Sequence, residues 1–280
     1  MPIMPSFTFS RSRDPGGATG LTLLGAGVLV GVLMGAPSAR AQQAFQIETH
    51  ATPTGPDDGV LLQRPTTLRA RSLQVQLRTD YTNEQLMVSL VGSTVTDEAV
   101  IQHRVAGSLS AAYGIADRVS LYVTLPYVLH QEGSSVLGLA EPASRGFADL
   151  VVGMHAHVFG DREGAQLGVG VALVEPTGRV QAFASDDRIG GVAQLRFAFV
   201  QPRWSLGVTS GVSLRPDREW LTHQTGADLT FVAGGFVNPV DGLRLGLELG
   251  VATGLTDGAF FERNRTPLEL DLSGRLALPH

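Results

Sequence analysis

Cysteine and lysine are both absent from the 280 residues. Without cysteine there is no disulfide, no thiolate metal site and no cysteine nucleophile, and the chain is compatible with an oxidising compartment. Without lysine every basic side chain is arginine, and no glycine-rich phosphate loop ending in lysine exists. Charged residues are few, at 17%, and acids outnumber bases 26 to 21, so there is no basic face of the kind nucleic acid requires. Long apolar runs are scarce too: beyond one near the N-terminus, no stretch approaches the length of a membrane helix. Hydrophobicity is spread thinly, and glycine is frequent at 34 residues.

The one apolar run, Leu21 to Met34, follows Arg11 and Arg13 and precedes Ala39-Arg40-Ala41. That order predicts a secretory signal over residues 1–41, cut before Gln42, with an uncleaved anchor helix over Thr19 to Ala36 as the alternative. Its Gly25-Ala26-Gly27 resembles part of a dinucleotide turn but precedes no strand–helix unit. Removing the leader leaves 18 basic against 25 acidic side chains, a net charge near −7.

Residues 42–68 are polar and broken by Pro53, Pro56, Gly59 and Pro65, and are expected to form an irregular periplasmic lead-in. From Arg69 the texture becomes strict alternation, the period of a strand with one apolar face. Leu73, Val75, Leu77 and Tyr81 oppose Gln74, Gln76, Arg78 and Asp80; Trp204, Leu206 and Val208 oppose Ser205, Gly207 and Thr209. About ten such runs lie in residues 69–280. They predict an all-β fold: a transmembrane antiparallel up-and-down β-barrel of about ten strands, with twelve as the alternative.

The connections sharpen this expectation. Tight turns at 114–118, 160–164, 201–203 and 238–242 alternate with longer links near 82–101, 131–146, 176–187, 215–224 and 256–266. Short turns at one end and long loops at the other mark an outer-membrane barrel, with both chain ends on the periplasmic side. Tyr113, Phe199 and Trp204 beside short turns, and Tyr81 and Tyr127 beside long loops, suit two interfacial girdles. Phe159 and Phe236 fall outside that pattern.

The polar phase gathers the residues expected to line the lumen: Arg78, Asp80, Arg104, Tyr122, Asp149, His155, His157, Arg196, Asp228, Arg244, Glu248, Glu269, Asp271 and Arg275. Isolated charges in a narrow interior are costly, so mixed signs predict a paired network that either braces a filled barrel or lines a polar passage. Inward small residues such as Gly168, Gly170, Gly207 and Gly211 are expected to leave some room. His155 and His157 share a face, but no third ligand is identifiable, and hydrogen-bonding histidines are the favoured reading. No metal, cofactor or catalytic residue is expected, because no nucleophile, base and orienter fall together.

Three motifs carry a resemblance. Tyr113-Gly114-Ile115-Ala116-Asp117-Arg118, continuing to Leu125-Pro126-Tyr127, together with Gly146-Phe147-Ala148-Asp149-Leu150 and Pro176-Thr177-Gly178, is similar to the outer-membrane transporters of the meta-pathway of phenol degradation. Related barrels precede OmpA-type periplasmic domains. Ala148 stands where that family has glycine, and the end at Pro279-His280 lacks a terminal aromatic, as in a truncated or divergent copy. The resemblance implies a bacterial outer-membrane barrel passing small compounds, apolar ones among them. The expected function is therefore a narrow channel for small solutes, with a plugged structural or interaction barrel as the alternative and a membrane enzyme the least favoured reading. The expected partners are outer-membrane lipid, the barrel-assembly machinery and small solutes.

Overall fold

Alternating sequences form sheets whose two faces differ in chemistry, and which face is buried reveals the surroundings for which the sheet is built. The computed structural model describes residues 54–55, 57–91, 95–135, 140–220, 223–255 and 268–276. The leader, residues 42–53 and the end at Pro279-His280 lie outside them.

Ten long strands follow one another as neighbours: β1 (Leu73–Val91), β2 (Val95–Ala116), β3 (Val119–Glu132), β5 (Leu150–Phe159), β6 (Gly164–Glu175), β7 (Gly190–Val200), β8 (Trp204–Leu214), β11 (Asp228–Val240), β12 (Leu243–Gly254) and β13 (Leu268–Leu276). The short β4 (Gly146–Phe147) pairs with β3, and β9 (Arg218–Trp220) with β10 (His223–Thr225) forms a separate hairpin in a long loop. Every pairing is antiparallel, so the sheet is an up-and-down meander curled into a half-barrel. Among the described residues the first and last strands, β1 and β13, share no ladder.

The burial is inside out. Leu73 and Leu77 are 64% and 60% exposed, as are Leu206, Leu247 and Leu272 at more than half, whereas Ser110, Ser120, Thr124 and Arg196 are buried. Along β8 the alternation is nearly perfect, with Trp204, Leu206 and Val208 out and Ser205, Gly207 and Thr209 in. A water-soluble sandwich buries the opposite face. An apolar outside around a polar inside is the arrangement of a barrel that stands in lipid.

Two sequence expectations change. The link expected at 82–101 is mostly ladder, since β1 and β2 stay paired from Tyr81↔Val105 to Val91↔Val95, across register shifts near Asn83 and Leu86. The polar run Thr82-Asn83-Glu84 breaks the alternation, and the register slips just after it, but the ladder resumes at Leu86↔Ile101. One of the alternating runs, Phe147 to Val158, where a single strand is expected from the sequence, is interrupted at Ala148-Asp149, where the Ala148 and Asp149 amides donate to the Pro126 and Ala184 carbonyls.

The aromatics outside the girdle pattern also find their places. A bulge between His157 and Phe159 turns Phe159 outward, 66% exposed. Phe236 points inward, buried at 4% beneath the Arg244 guanidinium, 4.0 Å from its ring centroid.

Candidate functional site

The inner face of the sheet is occupied by the chain's own N-terminal segment. Its composition makes residues 57–70 irregular, and irregular backbone carries amides and carbonyls that need partners. The sheet supplies them. Glu248, wholly buried, accepts three consecutive amides, from Val60, Leu61 and Leu62, at 2.9, 2.8 and 2.7 Å. Arg78 Nη1 donates to the Val60 carbonyl at 2.7 Å, Arg244 Nη1 to that of Asp57 at 3.1 Å, and Arg275 Nη2 to that of Asp58 at 3.0 Å.

Farther along, Thr209 donates to the Gln63 carbonyl, Arg196 Nη2 donates to the Gln63 side chain, and His157 Nδ1 stands 3.2 Å from the Pro65 carbonyl. The Leu68 amide then donates to Ser120, and the Ala70 amide to Asp117, before β1 begins. The segment thus crosses the turn end of the barrel from β12 and β13 to β3 and β1. A small apolar core pins it, with Val60, Leu61 and Leu62 against Val232 and Phe236.

Arg78, Arg244, Glu248 and Arg275 on the inner face therefore hold peptide groups. Ion pairs on this face include Arg78–Asp80 at 2.8 Å and, at the loop end, Arg215, which faces Asp186 at 4.0 Å and Asp228 at 3.9 Å. Arg196, buried at 1%, donates to the neutral Gln63 and Gln194 side chains. Beside it His155, equally buried, tilts against Tyr122 with ring centroids 6.0 Å apart. His157 Nε2 lies 2.8 Å from the Gly160 carbonyl, so the ring stands between two acceptors and in its neutral form donates to one of them.

The loop end has a second inward element, residues 176–189 with a 3-10 turn at Val180–Ala182. Ala182, Phe183 and Ala184 are fully buried, against Val128 and Ala148 for the two alanines. Asp149 anchors this loop by accepting the amides of Gly178 at 2.9 Å and Asp186 at 3.2 Å, while the Leu150 amide donates to Thr177 at 3.0 Å. The Asp149-Leu150 and Pro176-Thr177-Gly178 motifs, separate in sequence, form one joint.

Of the fourteen residues expected on the lumen, thirteen lie on strands in the inward phase, and Asp149 lies between β4 and β5. Arg104, Tyr122, Asp149, His155, Arg196 and Glu248 are buried, and Arg78, Asp80, His157, Asp228, Arg244, Glu269, Asp271 and Arg275 half-buried. The structure gathers Arg78, Arg244, Glu248 and Arg275 around residues 57–62, and sets Asp149 and Asp228 apart at the loop end. Sequence reasoning missed the other half of this site, Asp58, Gln63 and the segment itself. The apolar triplet Val60-Leu61-Leu62 inside a polar stretch was the signal that it packs. The inward glycines do not widen a bore: a Cβ at Gly207 would lie 2.8 Å from Leu62, and one at Gly170 2.8 Å from Arg196 Nη2.

No family model matches the chain, and no curated protein matches it. Among solved structures it is similar to an outer membrane channel from Pseudomonas putida F1, with a TM-score of 0.52 and 15% identity over 74% of this chain and 77% of that one. Nothing in that likeness singles out the phenol meta-pathway group. By fold, the chain is an up-and-down antiparallel barrel sheet of the kind that forms this outer membrane channel.

Proposed function

We propose that the protein is a narrow outer-membrane channel for small solutes, held shut at its turn end by residues 57–70. The observation that carries this reading is the pairing of an apolar outer face with a polar inner face whose charges grip an irregular segment through its backbone. Side chains alone just fill a lumen of about eight strands, so a somewhat wider one leaves room for an inserted segment. The likeness to a channel supports the same reading.

The test is conductance of the purified protein in planar bilayers. The wild type should give small, infrequent steps, and Glu248→Gln or removal of residues 57–68 should enlarge them and shift their ion preference, since lumen charges tune selectivity. A folded protein that conducts in none of these forms would favour the plugged structural barrel instead.

A further inference from the structure

The first and last strands of the sheet, β1 and β13, share no ladder among the described residues, yet they stand at one place. Gln76 and Arg78 of β1 and Ser273, Gly274 and Arg275 of β13 line the same small pocket, with residues 58–60 between them. Asp271 of β13 lies within electrostatic reach of Arg78 and Asp80 of β1. The N-terminal segment joins the two edges. Arg78, itself paired with Asp80, donates to the Val60 carbonyl from β1, and two residues earlier the Asp58 carbonyl accepts from Arg275 on β13. On β12, next to the last strand, Arg244 donates to the Asp57 carbonyl, and Glu248 accepts the amides of Val60, Leu61 and Leu62. Val60 alone is bonded both ways, by its carbonyl to β1 and by its amide to β12.

We propose that residues 57–62 are the clasp of the barrel: they hold β1 beside β13, so that the two edges pair in the bilayer with Leu77 beside Leu272 and close the sheet on itself. Hydrocarbon offers no partner to the amides and carbonyls of an open edge, so a sheet that stands in lipid closes. Ten up-and-down strands leave the first and last antiparallel, the relation a closing ladder needs. This register keeps inner side chains with inner and outer with outer. It brings the strand ends Leu73 and Leu276 together at the turn end and sets Arg78 beside Asp271. The segment that fills the bore therefore also fixes the wall, and the clasp goes beyond the channel reading without depending on it.

Cysteine pairs read the seam in a chain that has no cysteine of its own. Leu77→Cys with Leu272→Cys, oxidised in the cell envelope, should form a disulfide within one chain, found after trypsin as residues 72–78 joined to residues 266–275. Leu77→Cys with Leu247→Cys, one strand farther on and out of disulfide reach, should stay reduced. Phe197→Cys with Val208→Cys, opposite each other in the β7–β8 ladder, is the standard for a pair that forms. Glu248→Gln should slow the 77–272 disulfide by about threefold or more and leave the 197–208 disulfide at its rate. Arg275→Gln, which releases the Asp58 carbonyl, should do the same and serves if the Glu248 variant does not assemble, assembly being read by heat-modifiable migration. No 77–272 disulfide where the 197–208 pair forms, or one found only between two copies, overturns the closed seam. An unchanged rate in both variants overturns the clasp. A closed seam in a protein that never conducts sinks the channel reading alone, and conduction from a chain whose seam never crosslinks sinks this proposal alone.

Discussion

Glu248 shows how one side chain commands a segment far away in sequence. A single carboxylate satisfies the amides of Val60, Leu61 and Leu62, and the Ser273 hydroxyl donates to it at 3.3 Å. Hydrogen bonds to a charged group contribute about 1.5–3 kcal/mol each, and a buried amide left alone costs a similar amount. Glu248→Gln keeps the shape but removes the charge and one acceptor oxygen. Amide exchange at residues 60–62 should accelerate roughly tenfold to a hundredfold, the equivalent of about 1–3 kcal/mol, while the β6–β7 ladder keeps its protection. Uniform acceleration across the sheet would show that Glu248 braces the barrel and not the segment. The same residue marks a limit of sequence reading: alternation put Glu248 on the inner face, but its partners lie 186 to 188 positions away, a separation no periodicity encodes.

Among the elements, strands were legible and connections only partly so. Strand positions follow from a two-residue period repeated over eight or more positions, and each of the ten expected runs lies within or across a long strand. Loops carry no period. Residues 176–187 read only as a long link, and the structure folds them inward because Asp149 offers two carboxylate oxygens to the amides of Gly178 and Asp186. With both bonds removed, Asp149→Ala should free this loop. Trypsin, restricted to arginine in a chain without lysine, should then cut after Arg179 or Arg188 roughly tenfold faster, in keeping with about 1.5 kcal/mol or more for one bond to a charged acceptor. Unchanged cleavage would mean that Phe183 and Ala184, not Asp149, hold the loop in place.

For the molecule as a whole, the outer face decides where the chain can live. Leu245, Leu247 and Leu249 on β12 stand 45%, 51% and 44% exposed, beside Leu270 and Leu272 on β13. In water this band would aggregate; in lipid it is solvated. Leu247→Arg should cost about 2–4 kcal/mol if the site lies near the bilayer midplane, read as loss of the heat-modifiable band after refolding into vesicles. Assembly indistinguishable from wild type would place that face against something other than lipid.

The grip on residues 57–61 reads peptide groups, which every residue except proline presents alike. The holder and the held therefore differ in their freedom to change. Arg78, Arg244, Glu248 and Arg275 are fixed by what they grasp, and so are Gly59, where a Cβ would collide with the Glu248 carboxylate, and Leu61 in the apolar core, whereas the half-buried side chain at 57 is freer to change. On the proposed channel reading, such a barrel can change the charge that its held segment shows to a solute at a position such as 57, while the wall stays as it is.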